Sequence, residues 1–499
     1  MFRLDFWLNR YDKPLKRIFQ IALSQGCRTI LVEDEHEDVE YKSEYNSFYK
    51  NLFKKYSDKT QRLHFFASDL EVDDLSNLSK FQSDYLGFCV LRPFQMQKVV
   101  NAVIKPVEDY NYPPRWFILC QDNFPVEIKL SGGDVQKLNA KGFPFIQQDG
   151  QLGRCAQASL FMLDRFLAPR FGRKAHFVSE IVELANKVTE TKSEIPAEGL
   201  SPVQISRVLK EIGYNPLVYY YGDKIQSRFS PERVIYHYME SEIPIIIGFR
   251  AEAGWHALTV IGHSFEPDMW WALAKGEYYG GPPSGGQYHC STTWIENFIV
   301  HDDNLGPYMT LPKWFIWSKA KDGLMVIVPL PLNVNVQGED VEIYAQRMVS
   351  DPEILNWMAN ISETDVGKQT KEWEQVFWEH LSNKDLVLRT CLVDSKKFKE
   401  CYVADHLKTF YKSLHMPDKI WLTEVSIPEL FCQFRFRLGE VITDSTTSVR
   451  FGHSFLAVHL PGIIATRNAN TGKKSFYPIK GDEPFSHVIR SASDSNTTC

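Results

Sequence analysis

The order of apolar patterns between residues 156 and 301 constrains this chain most. From Ala156 to Phe171, apolar residues recur at helical spacing: Ala158, Leu160, Phe161, Leu163, Phe166 and Leu167. A second helix is expected over Pro202–Ile212, with Ser201 as its N-cap, Pro202 in its first turn and Gly213 past its end. Strand-like runs then follow at Leu217–Tyr221, Pro244–Phe249, His256–His263 and Asn297–His301. One long helix followed by several non-local strands implies an α+β fold rather than a doubly wound parallel sheet.

At roughly 150 residues per domain, 499 residues suggest three domains. The first, 1–135, alternates helix and strand signals: a helix at Lys16–Ser24, strands at Arg28–Glu33, Arg62–Ala67 and Tyr85–Leu91, and a break at Ser131-Gly132-Gly133. Its acidic run Glu33–Glu40 reads as a solvated loop. The second is 136–330. Pro329–Gly338 has the composition of a linker. The third, 340–499, is expected to hold helices at Tyr344–Val349 and Lys371–His380 and strands at Lys419–Val425 and Phe434–Thr443. Gly439–Thr446 reads as fold support, and the polar tail Ser491–Cys499 as frayed. Both flanking parts are expected to be α/β accessory domains.

Several function classes drop out. The balance of 56 basic and 62 acidic residues, net −6, gives no argument for a nucleic-acid partner. The apolar run Ile243–Phe249 is too short to span a bilayer, and Met1–Leu15 lacks the apolar stretch of a signal peptide. Nine scattered cysteines without a C-x-x-C pair suit a reduced, cytoplasmic chain. In that setting a special cysteine is a nucleophile before it is a staple. No cofactor is implied.

Three segments carry chemistry. In Gln147-Gln148-Asp149-Gly150-Gln151-Leu152-Gly153-Arg154-Cys155-Ala156, a polar loop runs straight into a helix that Cys155 begins. The positive end of the helix dipole favours thiolate, a nearby histidine adds to this, and an upstream glutamine amide could donate to an oxyanion. The alternative is that Cys155 is a small buried apolar residue; the other cysteines read as structural. In Gly254-Trp255-His256, a histidine opens a strand at a sheet rim, with His263 as competitor at the far end. In His301-Asp302-Asp303-Asn304, a strand ends in acids, which can orient an imidazole, cap a turn or bind a divalent metal. Asp302 and Asp303 are adjacent, so on an extended chain only one faces His256, and Asp302 is the choice. No second His/Cys cluster supports the metal reading.

The Cys–His–Asp order, at helix start, strand start and strand end, resembles the papain-like cysteine peptidases of the bacteriocin-processing C39 type and their stand-alone C39-like relatives. The resemblance covers about residues 140–328, including Glu198-Gly199-Leu200-Ser201-Pro202 and Gly213-Tyr214. It implies a papain-like core between the two accessory domains. It implies Cys155 as nucleophile, His256 as general base and acid, and Asp302 as orienting carboxylate. The family's oxyanion glutamine lies six residues before the cysteine, where this chain has Asp149. A one-residue insertion would make Gln148 the oxyanion residue, with Gln147 and Gln151 open, and Ala156 stands where the family has Gly. The implied activity is cysteine hydrolysis of peptide or amide bonds through a thioester. Acyl transfer to an amine or thiol, as in the related phytochelatin synthases, and an inactive peptidase-like binding protein are the alternatives. The partner implied is a protein or peptide substrate, with neither nucleic acid nor membrane, and the oligomeric state stays open. Without a Walker sequence or a membrane span, the chain is not a complete peptide exporter.

Overall fold

Asp12 starts the first helix. Its carboxylate accepts the Leu15 N–H and caps α1, Lys13–Ser24, whose second residue is Pro14. The structure, a computed structural model, describes residues 12–94, 98–107, 116–130, 133–149, 155–188, 200–222, 225–252, 254–265, 289–362, 371–383, 385–434, 436–447, 454–468, 471–479 and 484–486. Four antiparallel strands follow in chain order: β1 Thr29–His36, β2 Thr60–Phe66, β3 Tyr85–Leu91 and β4 Val99–Ile104, with helix α2, Val39–Ser47, after β1. Next come the short β5, Trp116–Ile118, and the hairpin of β6, Asp122–Lys129, and β7, Val135–Gly142.

The middle of the chain forms α3 Cys155–Arg170, α4 Val178–Val188, α5 Pro202–Glu211, β8 Asn215–Gly222, β9 Ile225–Gln226, α6 Pro231–Met239, β10 Ile245–Ala251, β11 Gly254–Ser264, β12 His289–Cys290, β13 Asn297–Asp302, β14 Gly306–Pro312, α7 Lys313–Asp322 and β15 Leu324–Leu330. Its sheet has the order β14-β13-β11-β10-β15-β8-β9, antiparallel throughout, with β5 also paired to β11. Ser201 and Gln204 close a capping box on α5, and Gly213 takes φ +93° beyond its end. The last part holds α8 Gly338–Val349, α9 Pro352–Ser362, α10 Lys371–Asn383, β16 Val387–Asp394, β17 Lys419–Ser426, β18 Phe436–Arg437, β19 Gly439–Asp444, β20 Phe455–Leu460, β21 Ile463–Arg467 and β22 Lys474–Pro478. The third sheet runs β12-β16-β17-β19-β20-β21-β22. Helices and separate, mostly antiparallel sheets make the chain mixed α and β in the α+β manner.

Four expectations change. The boundary at 135/136 falls inside the β6–β7 hairpin, and β5 leaves the first part to pair with β11. Pro329 is not in a linker: it closes β15 opposite Pro216 of β8, near the ends of both strands where a missing N–H harms the ladder little. The single strand expected at Phe434–Thr443 divides into β18 and β19. The acidic run is not a solvated loop. It builds β1 and the start of α2, and Glu33 is held by Arg62 and His64 while its other oxygen accepts the Lys129 N–H. The tail Ser491–Cys499 lies outside the described residues.

The parts share one core. A single apolar cluster joins Ile18 of α1, Phe65 of β2, Phe161 of α3, Val260 of β11 and Trp421 of β17. α3 is buried nearly all round from Ala156 to Ala168, as a helix enclosed by other elements must be. Among the described residues no helix is long and apolar enough to cross a membrane.

Glu40 of α2 is 2 % exposed beside α3, with its Oε1 3.1 Å from Arg165 Nη1. Burial pushes its carboxyl up to about 8; Arg165 opposes this, and Asp38 and Glu44 add to it. The folded chain therefore keeps this proton to higher pH than the unfolded chain. Stability should fall as pH rises from 4.5 to about 8, by at most about 1.4 kcal/mol per unit, and the loss should then level off. Thermal melts of the wild type and Glu40→Gln across this range check it: the variant should gain on the wild type until pH passes that value. A pH-independent difference contradicts the assignment.

Candidate active site

Cys155 is the first residue of α3, so its sulphur sits at the positive end of a 16-residue helix. Asp164, fully buried two turns on, fixes that helix by accepting the Tyr214 hydroxyl at 2.9 Å and the His176 N–H at 2.8 Å. α3 packs on β11, the strand that carries His256. The β11–β13 register pairs Thr259 with His301. Extended to the strand end, it makes His256 and Asp302 diagonal neighbours on one face and puts His301 on the other. His301 is accordingly buried among Phe143, Phe145 and Tyr308, where burial pushes its ring down to about 3.

His256 Nε2 lies 3.3 Å from Asp302 Oδ1. The same oxygen accepts the backbone N–H groups of Asn304 at 2.8 Å and Leu305 at 3.2 Å. The turn thus orients the carboxylate, and the carboxylate orients the ring. The Cys155 sulphur is within hydrogen-bonding reach of the ring. Burial lowers the imidazole's proton affinity. Hydrogen bonds to Asp302 and Cys155, then the charges of Asp302 and Asp303, outweigh it and lift the ring to about 10. The structure therefore brings Cys155, His256 and Asp302 together.

Asp303 departs from the expectation that only one acid faces His256. The strand ends at Asp302 and its pairing with β14 is irregular there, so alternation stops and Asp303 turns inward. Single ligand atoms of His256, Asp302 and Asp303 lie within 4.8 Å of one another. Asp303 is 1 % exposed, its carboxylate has no side-chain hydrogen-bond partner among the described residues, and burial pushes it up to about 7, with His256 opposing and Asp302 adding. His301 does not join this group.

The glutamines separate. Gln148 Nε2 donates to Asn304 Oδ1 at 2.5 Å, tying the loop before Cys155 to the Asp302 turn. Gln147 is buried between Asp12, which accepts its amide, and Val99, whose N–H it accepts. Asp149 is buried and accepts the Tyr49 hydroxyl. Gln151 lies outside the described residues.

Sequence reasoning missed the groups that hold this loop. Arg92 is buried, bonds Glu44 through two nitrogens at 2.9 and 3.1 Å, and donates to the carbonyls of Val99 and Gln147. Arg17 of α1 donates to the carbonyls of Pro307 and Tyr308 beyond the Asp302 turn. Forty-eight residues separate Glu44 from Arg92, and no local spacing signals that pair. The first part of the chain thus anchors both sides of the site.

The competitors are engaged elsewhere. His263 Nε2 lies 2.6 Å from Glu240, which also binds Arg389 of β16. Cys89, Cys120, Cys391 and Cys432 are buried, and burial pushes Cys27 up. Cys401 is disulfide-bonded, unlike the fully reduced set expected. Compared with known protein families and with curated proteins, the chain matches none.

Brief iodoacetamide treatment should label Cys155 first, and His256→Ala should slow that labelling by about tenfold or more. His263→Ala should leave the rate unchanged but lower stability by about 3 kcal/mol, because it opens a buried charged cluster. Mass mapping and melts read both effects. Faster labelling at Cys27, or loss of labelling in His263→Ala, contradicts the assignment.

Proposed function

We propose that the chain is a cysteine hydrolase of papain-like architecture that cleaves peptide or amide bonds through a thioester on Cys155. One observation carries this reading: a half-buried cysteine at a helix start, an imidazole beside it and a turn-held carboxylate behind the imidazole converge from three distant segments. That arrangement suits nucleophilic catalysis.

The chemistry follows from the geometry. With Nε2 engaged by Asp302, the ring exchanges its proton with the thiol through Nδ1. The thiolate attacks the acyl carbon and negative charge develops on the carbonyl oxygen. Collapse of the tetrahedral adduct expels the amine, which takes the Nδ1 proton, and leaves the thioester. The neutral imidazole then takes a proton from water as the water attacks the thioester, and returns it to the departing sulphur. Asp302 holds ring and tautomer throughout. Gln148, bonded to Asn304, retains a second amide hydrogen for the developing oxyanion.

Peptide libraries read by mass spectrometry test the activity, with the acyl adduct on Cys155 as the diagnostic species. Cys155→Ala should abolish turnover and barely move the melting temperature. Asp302→Asn should lower turnover by about 10–10⁴-fold, the upper figure coming from the serine triad. Product that appears only with an added amine or thiol acceptor assigns acyl transfer instead. Failure to trap any adduct across libraries, with Cys155 still selectively alkylated, counts against the enzyme reading.

A further inference from the structure

We propose that His256, Asp302 and Asp303 form a binding site for one divalent cation with zinc-like ligand preference, and that its occupation excludes proton exchange between His256 and Cys155. The consequence for activity rests on the hydrolase reading above; the site itself does not.

Three observations support it. The ligand atoms already lie within 4.8 Å of one another. The 3.3 Å separation of His256 Nε2 from Asp302 Oδ1 matches the edge of a tetrahedron around an ion with bonds of about 2.0–2.1 Å, the lengths zinc makes to nitrogen and oxygen. Asp303 is the independent sign. It is 1 % exposed, both carboxylate oxygens lack a side-chain hydrogen-bond partner among the described residues, and it turns toward the other two ligands although strand alternation would send it away. A buried carboxylate with no donor is costly, and binding a cation removes that cost.

The ligand types select the ion. One imidazole nitrogen and two carboxylates, with a thiolate within reach of the ring, suit zinc. Magnesium prefers six oxygens in a near-ideal octahedron and keeps its waters, for which this half-buried site has the wrong donors. Ion binding takes the ring nitrogen that Asp302 now engages and displaces the imidazolium proton to solvent. Nδ1 keeps its hydrogen on the neutral, ion-bound ring, so the ring can neither accept the thiol proton nor release its own without becoming an imidazolate.

Equilibrium dialysis of the full chain against zinc chloride, with metal analysis, is the test. The wild type should bind one zinc per chain. Asp303→Asn and His256→Gln should each weaken binding by about 10–100-fold or more, whereas magnesium should not compete. Cobalt(II) on the wild type needs no variant: intense visible bands of tetrahedral coordination are expected. Absence of saturable binding up to about 100 μM zinc, or equal binding in both variants, overturns the site, as does a weak octahedral cobalt spectrum. The outcomes for the two proposals separate. Zinc binding lost in Asp303→Asn, on a chain that never forms an acyl adduct when metal-free, sustains the cation site and rejects the hydrolase. Undiminished turnover by a chain that dialysis shows to be zinc-loaded rejects the exclusion of proton exchange and sustains the hydrolase.

Discussion

One oxygen organises the site. Asp302 Oδ1 accepts from His256 Nε2, Asn304 N and Leu305 N, so a single atom joins strand end, turn and imidazole. Two of these donors are backbone groups whose positions the turn fixes, which leaves the carboxylate little freedom to rotate. The ring inherits that rigidity, and with Nε2 engaged Nδ1 is the ring nitrogen left over. A carboxylate held in this way is spared the reorientation that a solvated one would undergo.

The turn is in turn held from the first part of the chain. Gly306 takes φ +126°, and a Cβ there would meet Arg17 Cβ at 2.7 Å, so α1 closes directly on the turn's exit. Arg17 then donates to the next two carbonyls, and the Tyr308 hydroxyl reaches Ile104 O of β4 at 2.9 Å. On the opposite side Arg92 and Gln147 hold the loop that leads to Cys155 against the same β4. One sheet thus supports both Gln147 and the turn beyond Asp302. The far end of β11 is fixed by another buried chain of charge, His263–Glu240–Arg389–Glu424–Arg437, which runs into the third sheet. The flanking parts are therefore supports of the central sheet rather than appendages.

Legibility in the sequence followed range. Helix α3 was legible because its apolar spacing and the polar loop before it are local, and the Ser201 cap of α5 because capping is chemistry within one turn. Cys155, His256 and Asp302 could be named because each stands at an element end, where side chains are free to converge. The support of the site was not legible. Glu44 and Arg92, Arg17 and Tyr308, and Glu240 and Arg389 meet only through tertiary packing, and the acidic run Glu33–Glu40 looked solvated because its partners Arg62, His64 and Arg165 lie far along the chain. The inward turn of Asp303 was missed for a related reason. Alternation is a property of extended backbone, and it lapses at the residue where the strand becomes a turn.

Asp303 bears on how such a site keeps its charge. A thiolate–imidazolium pair is neutral, and Asp302 adds one negative charge that three donors disperse. Asp303 brings a second carboxyl close to the same ring. In a half-buried site attraction and repulsion are both stronger than in water. The extra carboxylate therefore strengthens the hold on whatever cation occupies the ring nitrogen. It favours the proton when no metal is present and a divalent ion when one is. The inward placement of Asp303 thus ties the protonation of His256 to the supply of positive charge around it.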